Sequence, residues 1–304
     1  MMIRRFDAAS TENLLSFTSL VGELERAVTE YTAGKIVSPE RLVTPLAAGG
    51  VMLSMPASAQ DIAVHKLVNV CPSNFSRNLA TINGEVVAYD ALTGVTLFAL
   101  DGPTVTGRRT AAITLLAISR LRKTPPKTIA IIGTGKQAST HAQALASFYT
   151  GVDLVVAGLS REEEEQFCAR HSSCAVKPFV DRDWSRIDVV VTLTTSKTPV
   201  YAEKAVQGRL IVGVGAFTPD AAEVGQETVL ASTVIVDDPA GARHEAGDLI
   251  QAGVDWSGVI SLGEVLEGTA NVAGPVFFKS VGCAAWDLAA CRVAREMIAA
   301  GRAG

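Results

Sequence analysis

The chain has no apolar run approaching the roughly 18 residues a membrane-spanning helix requires, so no such span is expected. Its five cysteines (Cys71, Cys168, Cys174, Cys283 and Cys291) are odd in number and contain no C-x-x-C pair. That spacing argues against a disulfide framework or a zinc site and predicts buried free thiols in a reducing cytoplasm. The four histidines (His65, His141, His171 and His244) form no i, i+4 pair, and no metal site is expected. No basic stripe is present and the formal net charge is −4, so nucleic acid is not an expected partner. The opening residues, Met-Met-Ile-Arg-Arg-Phe-Asp, lack the apolar core of a signal peptide, which again predicts a cytoplasmic protein.

What is present is core material. Hydrophobic residues make up 48% of 304 residues against 19% charged, enough for two packed domains and too apolar for disorder. Residues 10–34 carry an apolar stripe at helical spacing, with Gly34 as the stop. Strand signals follow over 51–55, 62–70, 80–82, 85–90 and 95–100, with Asn83-Gly84 as the strongest hairpin signal and Thr93-Gly94 a weaker one. Residues 50–100 therefore read as an antiparallel meander. Asp101-Gly102-Pro103 breaks the chain, and a helix is expected from about 106 to 122, ended by Pro125-Pro126. Beyond it, apolar runs at 128–132, 153–157, 187–193, 210–214 and 233–237 alternate with helical stretches. Short, continuously apolar runs suit parallel strands buried on both faces, and the β/α alternation predicts an α/β, Rossmann-type doubly wound sheet. Glu162–Glu165 reads as the solvated first turn of a helix.

The run Thr128-Ile-Ala-Ile-Ile-Gly133-Thr134-Gly135-Lys136-Gln137-Ala138 has the form strand, G-x-G-x-x-A, helix. Gly133 permits the tight turn, Gly135 lets a pyrophosphate approach the backbone, and Ala138 lets the helix pack on the strand. The helix N-terminus supplies free N–H groups to the phosphates. Alone the motif is weak in a chain with 26 glycines; the flanking strand and helix give it weight. At the end of the next strand no carboxylate stands to grip a ribose diol; Ser160 and Arg161 follow instead and suit a 2′-phosphate. NADPH is thus the expected cofactor, with NADH possible, and Thr194 and Val214 complete the expected cofactor-binding set.

Lys66 lies in an otherwise apolar strand, Arg108 and Arg109 stand at the start of a helix where cations oppose its dipole, and Arg41 precedes the first strand. Cations so placed suit a carboxylate-bearing substrate; surface charges and structural ion pairs use the same residues.

Several motifs in order give the chain a resemblance to the ornithine cyclodeaminase/mu-crystallin family. They are Met55-Pro56-Ala57, Lys66-Leu-Val-Asn-Val-Cys-Pro72-Ser-Asn74, Arg109-Thr-Ala-Ala112, Gly133–Ala138, Val212-Gly-Val-Gly-Ala-Phe-Thr-Pro219-Asp220 with Glu223, and Phe278-Lys279-Ser280-Val281-Gly282. The resemblance implies a substrate-binding and dimerisation domain over 1–112, completed by a C-terminal helix over 283–304, and a dinucleotide-binding domain over 113–282. It implies that Arg41, Lys66 and Arg109 hold a substrate carboxylate near Thr81, with Lys66 the candidate catalytic residue, in a homodimer. Two acids that ornithine cyclodeaminases carry are Phe217 and Leu53 here. A phenylalanine can neither take a proton nor orient water, and a distal ammonium beside these groups is poorly solvated. The expected activity is therefore NAD(P)H-dependent reduction of a small cyclic imino acid, Δ1-pyrroline-2-carboxylate to L-proline or Δ1-piperideine-2-carboxylate to L-pipecolate. An alanine-type amino-acid dehydrogenase and an NADPH-dependent small-ligand binding protein stand behind it, and ornithine cyclodeamination last. The proton donor stays open between the substrate itself, Lys66 and, more weakly, Asp220, which also reads as a helix N-cap.

Overall fold

The computed structural model describes residues 3–301. Two compact units divide the chain, Met1–Ala112 with Cys283–Gly304, and Ile113–Gly282. The first begins with β1 (Arg4–Phe6), α1 (Ala8–Leu14) and α2 (Phe17–Thr32). The expected single helix over 10–34 is thus two. The break falls at Ser16, whose hydroxyl accepts from the Ser19 amide and caps α2. Gly34 stops it in a left-handed conformation at φ +70.

β2 (Leu42–Pro45), β3 (Val51–Ser58), β4 (Ala63–Val70), β5 (Ile82–Tyr89) and β6 (Thr96–Asp101) follow. They form the sheet β1-β6-β5-β4-β3-β2, antiparallel except where β1 runs parallel to β6. Asn83-Gly84 is not a hairpin turn but lies inside β5, paired with Asn69 and Val68. Glycine is needed there for proximity: a Cβ on Gly84 would sit 2.1 Å from the Leu67 carbonyl oxygen. The connection is made earlier, by 3₁₀ turns over Pro72–Arg77. Thr93-Gly94 does turn the chain, with Gly94 at φ +69. α3 (Gly102–Leu121) starts four residues earlier than its apolar spacing suggests, because Asp101 accepts from the Thr104 amide and caps it.

The second unit runs β7 (Thr128–Ile132), α4 (Lys136–Phe148), β8 (Asp153–Ala157), α5 (Arg161–Arg170), β9 (Lys177–Pro178), β10 (Val189–Thr192) and β11 (Leu210–Gly213). It continues with α6 (Gln226–Leu230), β12 (Thr233–Val236), α7 (Pro239–Glu245), α8 (Gly247–Ala252), β13 (Ile260–Ser261), α9 (Leu262–Glu267) and β14 (Val276–Lys279). All eight strands are parallel, ordered β13-β12-β14-β11-β10-β7-β8-β9. Every residue of β10, β11 and β14 is buried, as expected of a sheet covered on both faces. The chain steps outward from β7 through β8 to β9 and then returns to β10 on the other side of β7. That reversal is the switch point at which such sheets bind ligands.

α10 (Ala284–Ala299) belongs to the first unit and packs on α2, β3, β4 and β5. Residues 302–304, read from sequence as part of this helix, lie outside the described residues. Its apolar face is pinned by Arg292, which reaches Glu23, Glu30 and Asp61 at 2.6–3.0 Å. Among the described residues no helix is long and apolar enough to cross a membrane, and no group of three metal-ligating side chains occurs. All five cysteines are free, but only Cys283 and Cys291 are buried; Cys71, Cys168 and Cys174 are partly exposed, which corrects the expectation of wholly buried thiols.

Candidate active site

Lys66 sits in the middle of β4, in a row across the sheet with Met55, Val86 and Leu100. These are its buried neighbours on the face that α10 covers, and Lys66 itself is 3% exposed. A lysine so enclosed needs a partner. It is Asp287 in the first turn of α10, whose Oδ2 lies 2.7 Å from Lys66 Nζ. Arg109 Nε approaches the other oxygen of Asp287 at 3.4 Å. Burial lowers the Lys66 ammonium to about 8; Asp287 opposes that shift, and Arg109 and Arg41 add to it. Asp287 was not legible as a site residue, because nothing near it in sequence marks an alanine-rich helix as catalytic.

Arg41 immediately precedes Leu42, the partner of Ser54, so it reaches the row of Met55 and Lys66. Arg109 and Arg41 both lie close enough to act electrostatically on Lys66. Thr81 is not brought beside them. It lies five residues before Val86, the ladder partner of Lys66, or about 17 Å along an extended strand. Leu53 shares the inward face of β3 with Met55. Arg108 takes a structural role: it donates to the Leu15 carbonyl at 2.6 Å, pairs with Glu12 and stacks on Phe17.

In the second unit a cleft of about 640 Å³ opens at the ends of β7, β8 and β10, lined by Gly133, Thr134, Gly135, Gly158, Glu163 and Thr194 among others. Gly133 has φ +118 and a Cβ there would lie 2.7 Å from the Leu193 carbonyl oxygen, so only glycine fits. A Cβ on Gly135 would meet nothing within 4 Å, which leaves room for a phosphate group to approach the backbone. Lys136 and Gln137 open α4, and Ala138, the next residue of that helix, is fully buried. These residues fit a dinucleotide, with its pyrophosphate at the free amides of α4.

The far edge of the cleft differs from the sequence reading. The side chain of Ser160 caps α5, and Arg161 pairs with Glu165 at 2.7 Å. Glu163, one turn into α5, points back to the Leu159 amide at 3.3 Å and brings a carboxylate to the cleft wall. Arg182 lines the same edge, paired with Glu164.

In the sequence Glu223 is marked only by its place in a motif. It is fully buried and its carboxylate joins two loops. Oε1 accepts from the Thr194 amide and hydroxyl at 2.6 and 2.8 Å. Oε2 accepts from the Gly215 and Ala216 amides at 2.6 and 3.1 Å and from the Thr192 hydroxyl at 2.9 Å. Burial raises its pKa above the usual carboxylate value, while Lys279 pulls it down. Asp248 links the two, accepting from the Glu223 and Val224 amides and pairing with Lys279 at 2.7 Å. Thr194 and Val214, both expected at the cofactor, stand on the loops this network fixes. Phe217 lies beyond them, 46% exposed. Asp220 caps no helix; it is exposed and pairs with Lys197 at 2.7 Å.

Known proteins are similar to this chain over nearly its whole length. The Delta(1)-pyrroline-2-carboxylate/Delta(1)-piperideine-2-carboxylate reductase of Azospirillum brasilense is 62% identical over 302 residues, covering 98% of this chain and 97% of that one. Delta(1)-pyrroline-2-carboxylate reductase 2 of Burkholderia ambifaria is 59% identical, covering 99% and 98%. Among solved structures, the Thermococcus litoralis Delta(1)-pyrroline-2-carboxylate reductase in complex with NADH and L-proline superposes with a TM-score of 0.87 at 25% identity, covering 98% of each chain. The family model for the ornithine cyclodeaminase/mu-crystallin family matches residues 2–302, and the chain belongs to that family.

Proposed function

We propose that the chain is an NAD(P)H-dependent reductase of small cyclic imino acids, converting Δ1-pyrroline-2-carboxylate to L-proline and Δ1-piperideine-2-carboxylate to L-pipecolate. The observation that carries this reading is the near-full-length identity to a reductase of both imines. The cations of the first unit support it: partly buried Arg41 and buried Arg109, with buried Lys66 beside them, take the substrate carboxylate and fix the ring. Bound NAD(P)H supplies the hydride. Lys66 supplies the proton the ring nitrogen needs. The apolar Leu53 and Phe217 leave no acid for a distal amine or an attacking water.

For the cofactor, the reading favours NADPH over NADH, with Ser160 and Arg161 at the ribose end; Glu163 on the cleft wall gives NADH a diol partner. A homodimer forms through the face of the first unit's sheet that α10 leaves uncovered. There Leu67 is 41% exposed and Leu42 66%, and apolar sheet surface of this kind calls for a partner. Free thiols suit a reducing cytoplasm. The test is oxidation of NADPH and NADH, followed by absorbance, with each cyclic imine, with pyruvate plus ammonia, and of ornithine with NAD. Saturable turnover with the imines alone supports the reductase; ammonia-dependent turnover of pyruvate, or proline formed from ornithine, overturns it.

A further inference from the structure

We infer that Asp287 is a positioning residue for the reduction: from the first turn of α10 it aims Lys66 at the ring nitrogen and keeps it protonated for delivery. The inference rests on the proposed reading of Lys66 as proton donor. Its basis is the contrast among the chain's buried carboxylates. Glu223 accepts from five donors and Asp237 from the Asp238, Val281 and Gly282 amides and the Ser280 hydroxyl. Each is saturated by the chain and therefore fixes loops. Asp287 is equally buried, yet no backbone amide or hydroxyl donates to either of its oxygens. Both are instead turned to cations, Lys66 at 2.7 Å and Arg109 at 3.4 Å.

The charged groups acting on Lys66 are few. Asp287 comes from α10, Arg109 from α3 and Arg41 from the segment before β2, while its ladder neighbours Met55 and Val86 are apolar. Cys291, one turn along α10, is buried and its thiol is pushed up by burial and by Asp287, so it stays neutral. Without Asp287, burial and two guanidinium groups would drive the ammonium to discharge. In the step itself, the hydride forms the new C–H bond at the imine carbon and the C=N π pair moves to nitrogen. Nitrogen takes a proton as one Lys66 Nζ–H bond breaks. Lys66 is left neutral and regains its proton from solvent.

The test is the pH dependence of kcat with Δ1-pyrroline-2-carboxylate for the wild type, Asp287→Asn, Asp287→Glu and Lys66→Met. A donor must be protonated, so kcat of the wild type falls as pH rises through the Lys66 ionisation, near 8. Asp287→Asn removes the group that raises this value, and its falling limb moves to lower pH by about one unit or more. Asp287→Glu retains the charge and keeps the limb near its original place with lowered kcat; it also decides the matter if the asparagine variant does not fold. Ionisation of the free imine is the same for every variant, so it cannot produce the shift. A limb that stays put in Asp287→Asn, or moves as far in Asp287→Glu, overturns the inference while Lys66→Met remains inactive. Turnover retained by Lys66→Met overturns the proton-donor reading beneath it.

Discussion

Replacing Glu223 by glutamine separates the role of its carboxylate from that of its shape. Glutamine keeps one carbonyl oxygen, enough to hold the Thr194 amide and hydroxyl. Its NH₂ group then faces the Gly215 and Ala216 amides, which the native Oε2 accepts at 2.6 and 3.1 Å. Two buried donors lose their acceptor, at about 1–3 kcal/mol each, or roughly 2–6 kcal/mol together. For a domain of this size about 2–4 °C of Tm is lost per kcal/mol, so the expected fall is roughly 5–20 °C by calorimetry. The same loops carry Thr194 and Val214, so KM for NAD(P)H rises about tenfold, the equivalent of ~1.4 kcal/mol, while KM for the imine changes little. An unchanged Tm together with an unchanged cofactor KM would refute the claim that this carboxylate holds the cofactor loops.

Four further outcomes follow from the same geometry. Gly133→Ala must place a Cβ 2.7 Å from the Leu193 carbonyl oxygen at φ +118, and should weaken NADH binding, measured by fluorescence titration, by roughly 5- to 150-fold through about 1–3 kcal/mol of strain. Lys279→Met leaves Asp248 and Glu223 without their buried counter-charge and destabilises by about 3–5 kcal/mol at pH 8. Because removing the cation raises the folded-state value of Glu223 further above its unfolded one, the variant binds protons on folding and its deficit shrinks as pH falls, which urea titrations across pH check. Arg109→Lys keeps the charge but loses the planar fork, and raises KM for the imine about tenfold or more in steady-state assays. Arg161→Ala lowers the ratio of kcat/KM for NADPH to that for NADH several-fold; an unchanged ratio removes Arg161 from cofactor choice.

The parts legible in sequence were those governed by local pattern. Strands such as Val189–Thr192 and Leu210–Gly213 announce themselves because burial on both faces demands unbroken apolar runs. The turn at Gly133–Ala138 is readable because each small residue answers a local steric need. Asn83-Gly84 misled because the same dipeptide serves a tight turn or a close strand crossing, and only the proximity of Leu67 decides between them. The break at Ser16 carried a readable capping signal that the continuous apolar stripe outweighed. Lys66 stood out as a charge in an apolar strand, but its partner Asp287 comes from the last helix. Pairing across that sequence distance is set by how α10 returns to β4, which no local pattern records. The Glu223–Asp248–Lys279 chain was hidden for the same reason.

The most direct measurement is a single-turnover reaction of Δ1-pyrroline-2-carboxylate with nicotinamide cofactor deuterated at C4, the product analysed by mass spectrometry. The account predicts L-proline carrying one deuterium at its α-carbon from one face of the cofactor and none from the other. Proline without label from either face, or no proline at all while the cofactor stays bound, would contradict it.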